Sequence, residues 1–128
     1  MVDTIDTPQT LDTPNLYDWL AAASDADLDA LPFGVVGMAQ DGTVEQYNRF
    51  EANMASLIPA RVIGRHFFTA VAPCTNNFMV AHRFETESEI DDIVDYVFTF
   101  KLKPIKVRLR LMKRLDGGRI YLAVAPRA

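Results

Sequence analysis

At 128 residues with 49% hydrophobic side chains, the chain can fill one core and is too short for two independent domains. A net charge of -4 and a pI near 5.0 argue against non-specific nucleic-acid binding, which needs a basic surface to displace counterions from phosphates. No apolar run approaches the roughly 20 residues that span a bilayer, and the single cysteine, Cys74, forms no internal disulfide.

The N-terminus begins with Asp3 and Asp6 rather than a basic patch and an apolar stretch, so a soluble, cytoplasmic protein is expected. Charge is unevenly spread: residues 1–48 hold nine acids and no Lys or Arg, whereas residues 49–128 hold eight acids and all thirteen bases. The first dozen residues lack an apolar period and should be mobile. Thr13 followed by Pro14 reads as a helix start, with Leu16, Trp19, Leu20 and Ala23 recurring at helical spacing. Ser24 with Asp27 three residues later signals a second start, which Leu31 and Pro32 close. Residues 1–32 are therefore expected to form an N-terminal helical cap and residues 33–128 the core of one domain.

From Phe33 the pattern becomes extended, and Asp41-Gly42 is a hairpin turn between FGVVGMA and TVEQYN. Asn48 can cap a helix whose third residue is Glu51, and short helical pieces follow over 59–63 and 66–72. A longer helix is expected from Asn77 to about Glu89. Three strands then close the chain. Tyr96, Phe98, Phe100 and Leu102 alternate against polar neighbours, and Ile105, Val107, Leu109 and Leu111 alternate against Lys106, Arg108, Arg110 and Met112. An Asp116-Gly117-Gly118 turn leads into the strand RIYLAVA. The order of two strands, several helices and three strands predicts an α+β domain with a five-stranded antiparallel sheet, the PAS-like arrangement.

The stretches DGTVEQYNRFE, VIGRHFFTAVAPCT and YVFTFKLKPIKV resemble, in order and spacing, those of the photoactive yellow protein family. The resemblance runs from about Leu28 to the C-terminus, with a small deletion after Phe84. It implies a blue-light photoreceptor carrying p-coumaric acid (4-hydroxycinnamic acid) as a thioester on Cys74. It further implies a buried phenolate that accepts short hydrogen bonds from Tyr47 and a protonated Glu51. Phe67, Tyr96 and Phe98 match positions that wall the chromophore. The chemistry is coherent: an apolar pocket favours the neutral phenol, so aimed O–H donors are needed to hold the anion. Glu51 donates only while protonated, which requires burial to raise its pKa above about 4.3. Light would then turn trans to cis and let the proton pass from Glu51 to the phenolate, leaving an unpartnered buried carboxylate, a costly state that can drive partial unfolding.

Three positions depart from the family pattern. Ala55 replaces a threonine that supports the tyrosine hydroxyl, Leu57 replaces a shielding arginine for which Arg49 or Arg61 can substitute, and Leu102 replaces a methionine tied to thermal return. Slow dark recovery is expected. Taken without their neighbours, the residues have plainer readings: Cys74 as an inert core thiol, Glu51 as half of a capping box, and the aromatics as ordinary core. The alternative function is a PAS module for small-ligand binding or dimerisation with Cys74 unmodified. His66 and His82 have no third ligand or acid at a recognisable spacing, so no metal site and no catalytic residue is expected.

The expected partner is a downstream signalling protein, with no nucleic acid or membrane, and the chain is expected to be a monomer or weak dimer. The cap, with Asp18, Asp25, Asp27 and Asp29 and an apolar stripe including Trp19 and Leu20, should pack over the sheet face bearing Lys106, Arg108 and Arg110. Its release in the light would carry the signal.

Overall fold

The hairpin turn and the three alternating segments do build one sheet. The strands are β1 (Gly34–Met38), β2 (Val44–Tyr47), β3 (Ile90–Phe100), β4 (Lys103–Lys113) and β5 (Ile120–Pro126). All neighbours are antiparallel, in the order β2-β1-β5-β4-β3. The computed structural model describes residues 9–100 and 103–127. The turn at Gly42 needs φ +92°, which glycine adopts without a Cβ penalty, and Asp41 Oδ1 closes it by accepting from Thr43 N at 2.9 Å.

The helices fall into two groups. In the cap are α1 (Leu16–Ala22) and α2 (Asp25–Asp29); between β2 and β3 lie α3 (Arg49–Ala55), α4 (Pro59–Val62) and α5 (Ala81–Thr86). A π-helical turn, Phe67–Val71, and a 3-10 turn, Pro73–Thr75, sit between α4 and α5. Among the described residues no helix is long and apolar enough to cross a membrane.

Both sheet faces are covered, which is why all five residues of β1 are buried. The inner face packs Val36, Met38, Phe98, Leu109 and Leu122 against Phe67, Phe68, Val80 and Phe84. The outer face packs Val35, Met112, Tyr121 and Ala123 against Leu11, Leu16, Tyr17 and Leu20 of the cap. The cap thus lies over the outer face, as its apolar stripe requires. Met112, read from sequence on the polar side of β4, is 1% exposed because the cap covers it.

Three expectations need correction. First, α1 does not start at Thr13-Pro14: Thr13 Oγ1 accepts from Thr10 N at 2.8 Å and Thr13 O accepts from Arg110 at 2.7 Å. Those bonds fix Thr13 in a turn against the sheet, and Asn15, at φ 57°, redirects the chain into the helix. The Ser24–Asp27 capping box, by contrast, forms as expected, with bonds of 3.1 and 3.0 Å.

Second, the helix expected from Asn77 to about Glu89 shortens to α5. His82 N bonds Asn77 O at 3.0 Å, five residues back rather than four, so residues 78–80 form a turn, with Asn77 Oδ1 taking the N–H groups of Met79 and Val80 at 3.0 and 3.2 Å, and Ile90 already pairs with Lys113 in the sheet. Third, the charge pairing differs in its partners. Asp18 meets Arg114 at 2.6 Å and Asp12 meets Arg108 at 2.5 Å, while Arg110 takes Asp91 at 2.8 Å. Asp27 is spent on its capping box, and Asp29 accepts from Arg49 N at 2.8 Å.

Candidate functional site

The site grows out of the junction between β2 and α3. Asn48 fixes it with all of its side-chain capacity: Oδ1 accepts from Val35 N at 2.9 Å and Glu51 N at 3.2 Å, and Nδ2 donates to Leu28 O at 2.8 Å and Phe33 O at 3.0 Å. One asparagine therefore ties β1, α2 and α3 together. Tyr47, the last residue of β2, and Glu51, in the first turn of α3, are both turned inward, at 6% and 1% exposure.

Glu51 is not the return half of a capping box. Asn48 N donates to Val35 O at 3.1 Å, so the carboxyl has no backbone N–H to reach back for. It lies over Gly34, where an added Cβ would fall on Glu51 Oε1. That oxygen is buried and has no hydrogen-bond partner. Burial alone pushes the carboxyl up to about 8, so at neutral pH Glu51 holds its proton. The Tyr47 phenol is raised well above its ordinary range, first by burial and then by the proximity of Glu51.

Cys74 sits in the 3-10 turn, half-buried, with its side chain against the inner core. Its backbone is held firmly. Tyr96 donates its hydroxyl to Cys74 O at 2.7 Å, and Asn77 Nδ2 donates to the same carbonyl at 3.2 Å and also to the Tyr96 oxygen. Thr75, fully buried, closes the turn through Oγ1 to Ala72 O at 2.7 Å.

The core against which Cys74 packs contains Tyr47, Phe67, Tyr96 and Phe98, so four of the positions singled out in the sequence share one apolar cluster with the thiol. Tyr96 and Phe98 meet edge to face at 5.9 Å. Ala55, the last residue of α3, is buried at 3%. Leu57 stands apart from the cluster at 37% exposure, in a groove shared with Arg61 and Val71, and Arg49 is exposed at the start of α3. Leu102 lies outside the described residues.

Gly34, Asn77 and Thr75 were not read as site residues from sequence. A glycine opening an apolar strand signals close approach, and an Asn-Asn pair after Pro-Cys-Thr signals a side-chain-closed turn, but neither pattern says what it serves. The histidines serve local packing: His66 Nδ1 lies 3.1 Å from Thr69 Oγ1, and His82 meets the Phe78 ring at 5.0 Å. Among the described residues no cluster of His, Cys, Asp and Glu could hold a metal ion.

No family model matches the chain. It is similar, however, to the photoactive yellow protein of Halochromatium salexigens, at 37% identity over 108 residues that cover 82% of this chain and 86% of that one. The photoactive yellow protein of Rhodothalassium salexigens is 30% identical over the same shares. Among solved structures, the photoactive yellow protein domain of the sensor histidine kinase Ppr from Rhodospirillum centenum superposes with a TM-score of 0.77 at 36% identity, covering 84% of this chain and 97% of that one. A PAS domain of an HTR-like protein from Haloarcula marismortui, at TM-score 0.64 and 14% identity over 86% of this chain and 99% of its own, shares the fold.

Proposed function

Because the chain belongs to the photoactive yellow protein family, we propose that it senses blue light through p-coumaric acid held as a thioester on Cys74. Bound there, that group would supply a blue-absorbing phenolate and a double bond that isomerises on light absorption. The residues present suit it: a half-buried thiol for the acyl carbon, an aromatic core, and a protonated carboxyl lacking an acceptor.

The observation that carries this reading is Glu51. An O–H donor at 1% exposure beside an orphaned Oε1 is costly unless an acceptor arrives from outside the protein. With the Tyr47 hydroxyl it forms a donor pair suited to a single anionic oxygen, and hydrogen bonds to an ionised oxygen are the strong kind. Tyr96 and Asn77 anchor the Cys74 carbonyl, so a rearrangement at the sulfur would be borne by the side chain and the core around it rather than by the turn.

Release of the Glu51 proton would leave a buried carboxylate, and among the described residues no cation pairs with it. That carboxylate would lie beside the cap, because Asn48 holds Leu28 O and Asp29 holds Arg49 N. Loosening there would free the outer sheet face and its apolar cluster for a downstream signalling protein.

The test is acylation of the full chain with p-coumaric anhydride. The product should be yellow, gain the mass of one coumaroyl group at Cys74, and bleach in blue light, whereas Cys74→Ala should gain neither mass nor colour. A colourless Cys74 adduct, or an equal visible band in Cys74→Ala, overturns the reading.

A further inference from the structure

A cleft of about 580 Å³ opens at one end of the sheet, where the Asp41-Gly42 turn, the π-helical turn, α5 and the adjoining ends of β4 and β5 meet. That volume suits a small molecule. Neither Cys74, Tyr47 nor Glu51 lines it, nor do Phe67, Tyr96 and Phe98, so it is separate from the candidate chromophore site. Its floor, Phe68, Phe84 and Ile120, is no more than 5% exposed, so the cleft offers a guest little apolar surface. Recognition must come from the rim.

The rim carries unspent charge of both signs. Arg83, Arg108, Arg110, Arg114, Arg119 and Arg127 each meet a carboxylate, whereas among the described residues Lys113, Asp41 and Glu85 form no ion pair. Two of these three groups are also fixed in place with capacity to spare. Lys113 Nζ donates to Phe84 O at 2.5 Å, which holds the ammonium at the cleft and leaves its other N–H groups to donate elsewhere. Asp41 Oδ1 accepts from Thr43 N at 2.9 Å, which leaves Oδ2. Neutral polar groups complete the wall: Thr69, and Gln40, whose Nε2 donates to Gly118 O and whose Oε1 remains to accept.

We infer that this cleft is a second binding site, for a free α-amino acid with an uncharged polar side chain. Its ammonium would meet Asp41 and Glu85 and its carboxylate the spare N–H groups of Lys113, both as charge-assisted hydrogen bonds. A simple anion would be repelled by the two carboxylates and a simple cation by Lys113, so only a ligand carrying both charges matches the whole rim. The side chain is left with Gln40 and Thr69, which an amide or hydroxyl satisfies and an apolar group does not. The cleft adjoins the candidate chromophore site without being part of it: Phe68 meets Phe67 edge to face at 5.3 Å, and Asn76 follows the turn that bears Cys74.

Binding does not depend on Cys74 being acylated, so amide NMR spectra of the full chain with a free thiol, titrated with L-glutamine, test it alone. Saturable shifts should cluster at Asp41, Gly42, Thr69, Glu85 and Lys113. L-glutaminamide, which lacks the carboxylate, and N-acetyl-L-glutamine, which lacks the ammonium, should each bind at least about tenfold more weakly, equivalent to about 1.4 kcal/mol. D41N/E85Q should weaken L-glutamine by a similar factor without weakening N-acetyl-L-glutamine, which has no ammonium for those residues to hold. Lys113→Met should weaken L-glutamine but not L-glutaminamide. No saturable shift by about 10 mM, equal affinity for L-glutamine and the two analogues, or full affinity in D41N/E85Q would each overturn the proposal.

Discussion

Glu51 ties burial to chemistry through one proton. Its carboxyl titrates near 8 in the folded chain against an ordinary 4.5. Between those values the unfolded chain has released the proton while the folded chain keeps it. Unfolding therefore sheds a proton, and stability falls as pH rises, by on the order of 1.4 kcal/mol per pH unit. Below 4.5 both states are protonated and this contribution is fully retained, while above about 8 both are ionised and the slope ends. Urea titrations of the unacylated chain between about pH 5 and 8 should show that decline, and Glu51→Gln should remove this residue's contribution to it. Gly34→Ala is the steric counterpart: its Cβ would land on Glu51 Oε1, costing about 1–3 kcal/mol and displacing the carboxyl, so the same slope should weaken. Tyr47, Glu51 and Cys74 could be named as candidates from sequence because the family's spacing survives around them. Gly34 could not, since its task depends on β1 passing beneath α3, a long-range contact that no local pattern reports.

At the level of elements, the turn that bears Cys74 is held by side chains more than by helix formation. Tyr96 bonds the Cys74 carbonyl, and Asn77 bonds that carbonyl, Tyr96, Met79 N and Val80 N together. Tyr96→Phe should cost about 1 kcal/mol, because Asn77 still reaches the carbonyl. Asn77→Ala strips four bonds at once and should cost more, about 1–3 kcal/mol. The discriminating measurement is the rate at which Ellman's reagent modifies Cys74: severalfold faster in Asn77→Ala than in Tyr96→Phe if the turn depends on this hub. Equal rates would show that the turn stands without it. The same residue explains why a helix read from Asn77 was too long. His82 N bonds Asn77 O, five residues back rather than four, so residues 78–80 form a wide turn and regular helical bonding begins only at Ala81. The capping box of α2 was legible because both of its members lie within three residues.

Across the whole molecule, the acidic front and basic back meet only in part. Asp12 with Arg108 and Asp18 with Arg114 join the cap to the sheet, and Arg110, 7% exposed, donates to Leu11 O and Thr13 O at 3.0 and 2.7 Å. Tyr17 adds a bond to Arg119 O at 2.6 Å, with its ring against Tyr121 at 5.1 Å and the Arg114 guanidinium over it at 4.1 Å. The charge blocks visible in the sequence foretold that the cap and sheet would pair, but not which acids would do so. Partner choice follows from where Asn15 and the Thr10–Thr13 turn aim the chain, and those are set by contact with the sheet. Apolar burial nevertheless dominates the hold. Leu20 is fully buried in the outer cluster, so Leu20→Ala should cost about 2–5 kcal/mol. The double variant D12N/D18N removes only exposed pairs, which salt screens, and should shift the urea midpoint by a small fraction of that amount. Should D12N/D18N match Leu20→Ala, charge rather than packing holds the cap, and its docking would then collapse in high salt. If the cap is the element released by light, amides of residues 16–29 should exchange faster under illumination than in the dark. Leu20→Ala should already exchange there quickly in the dark, because weakening the apolar contact populates the same open state without the photon.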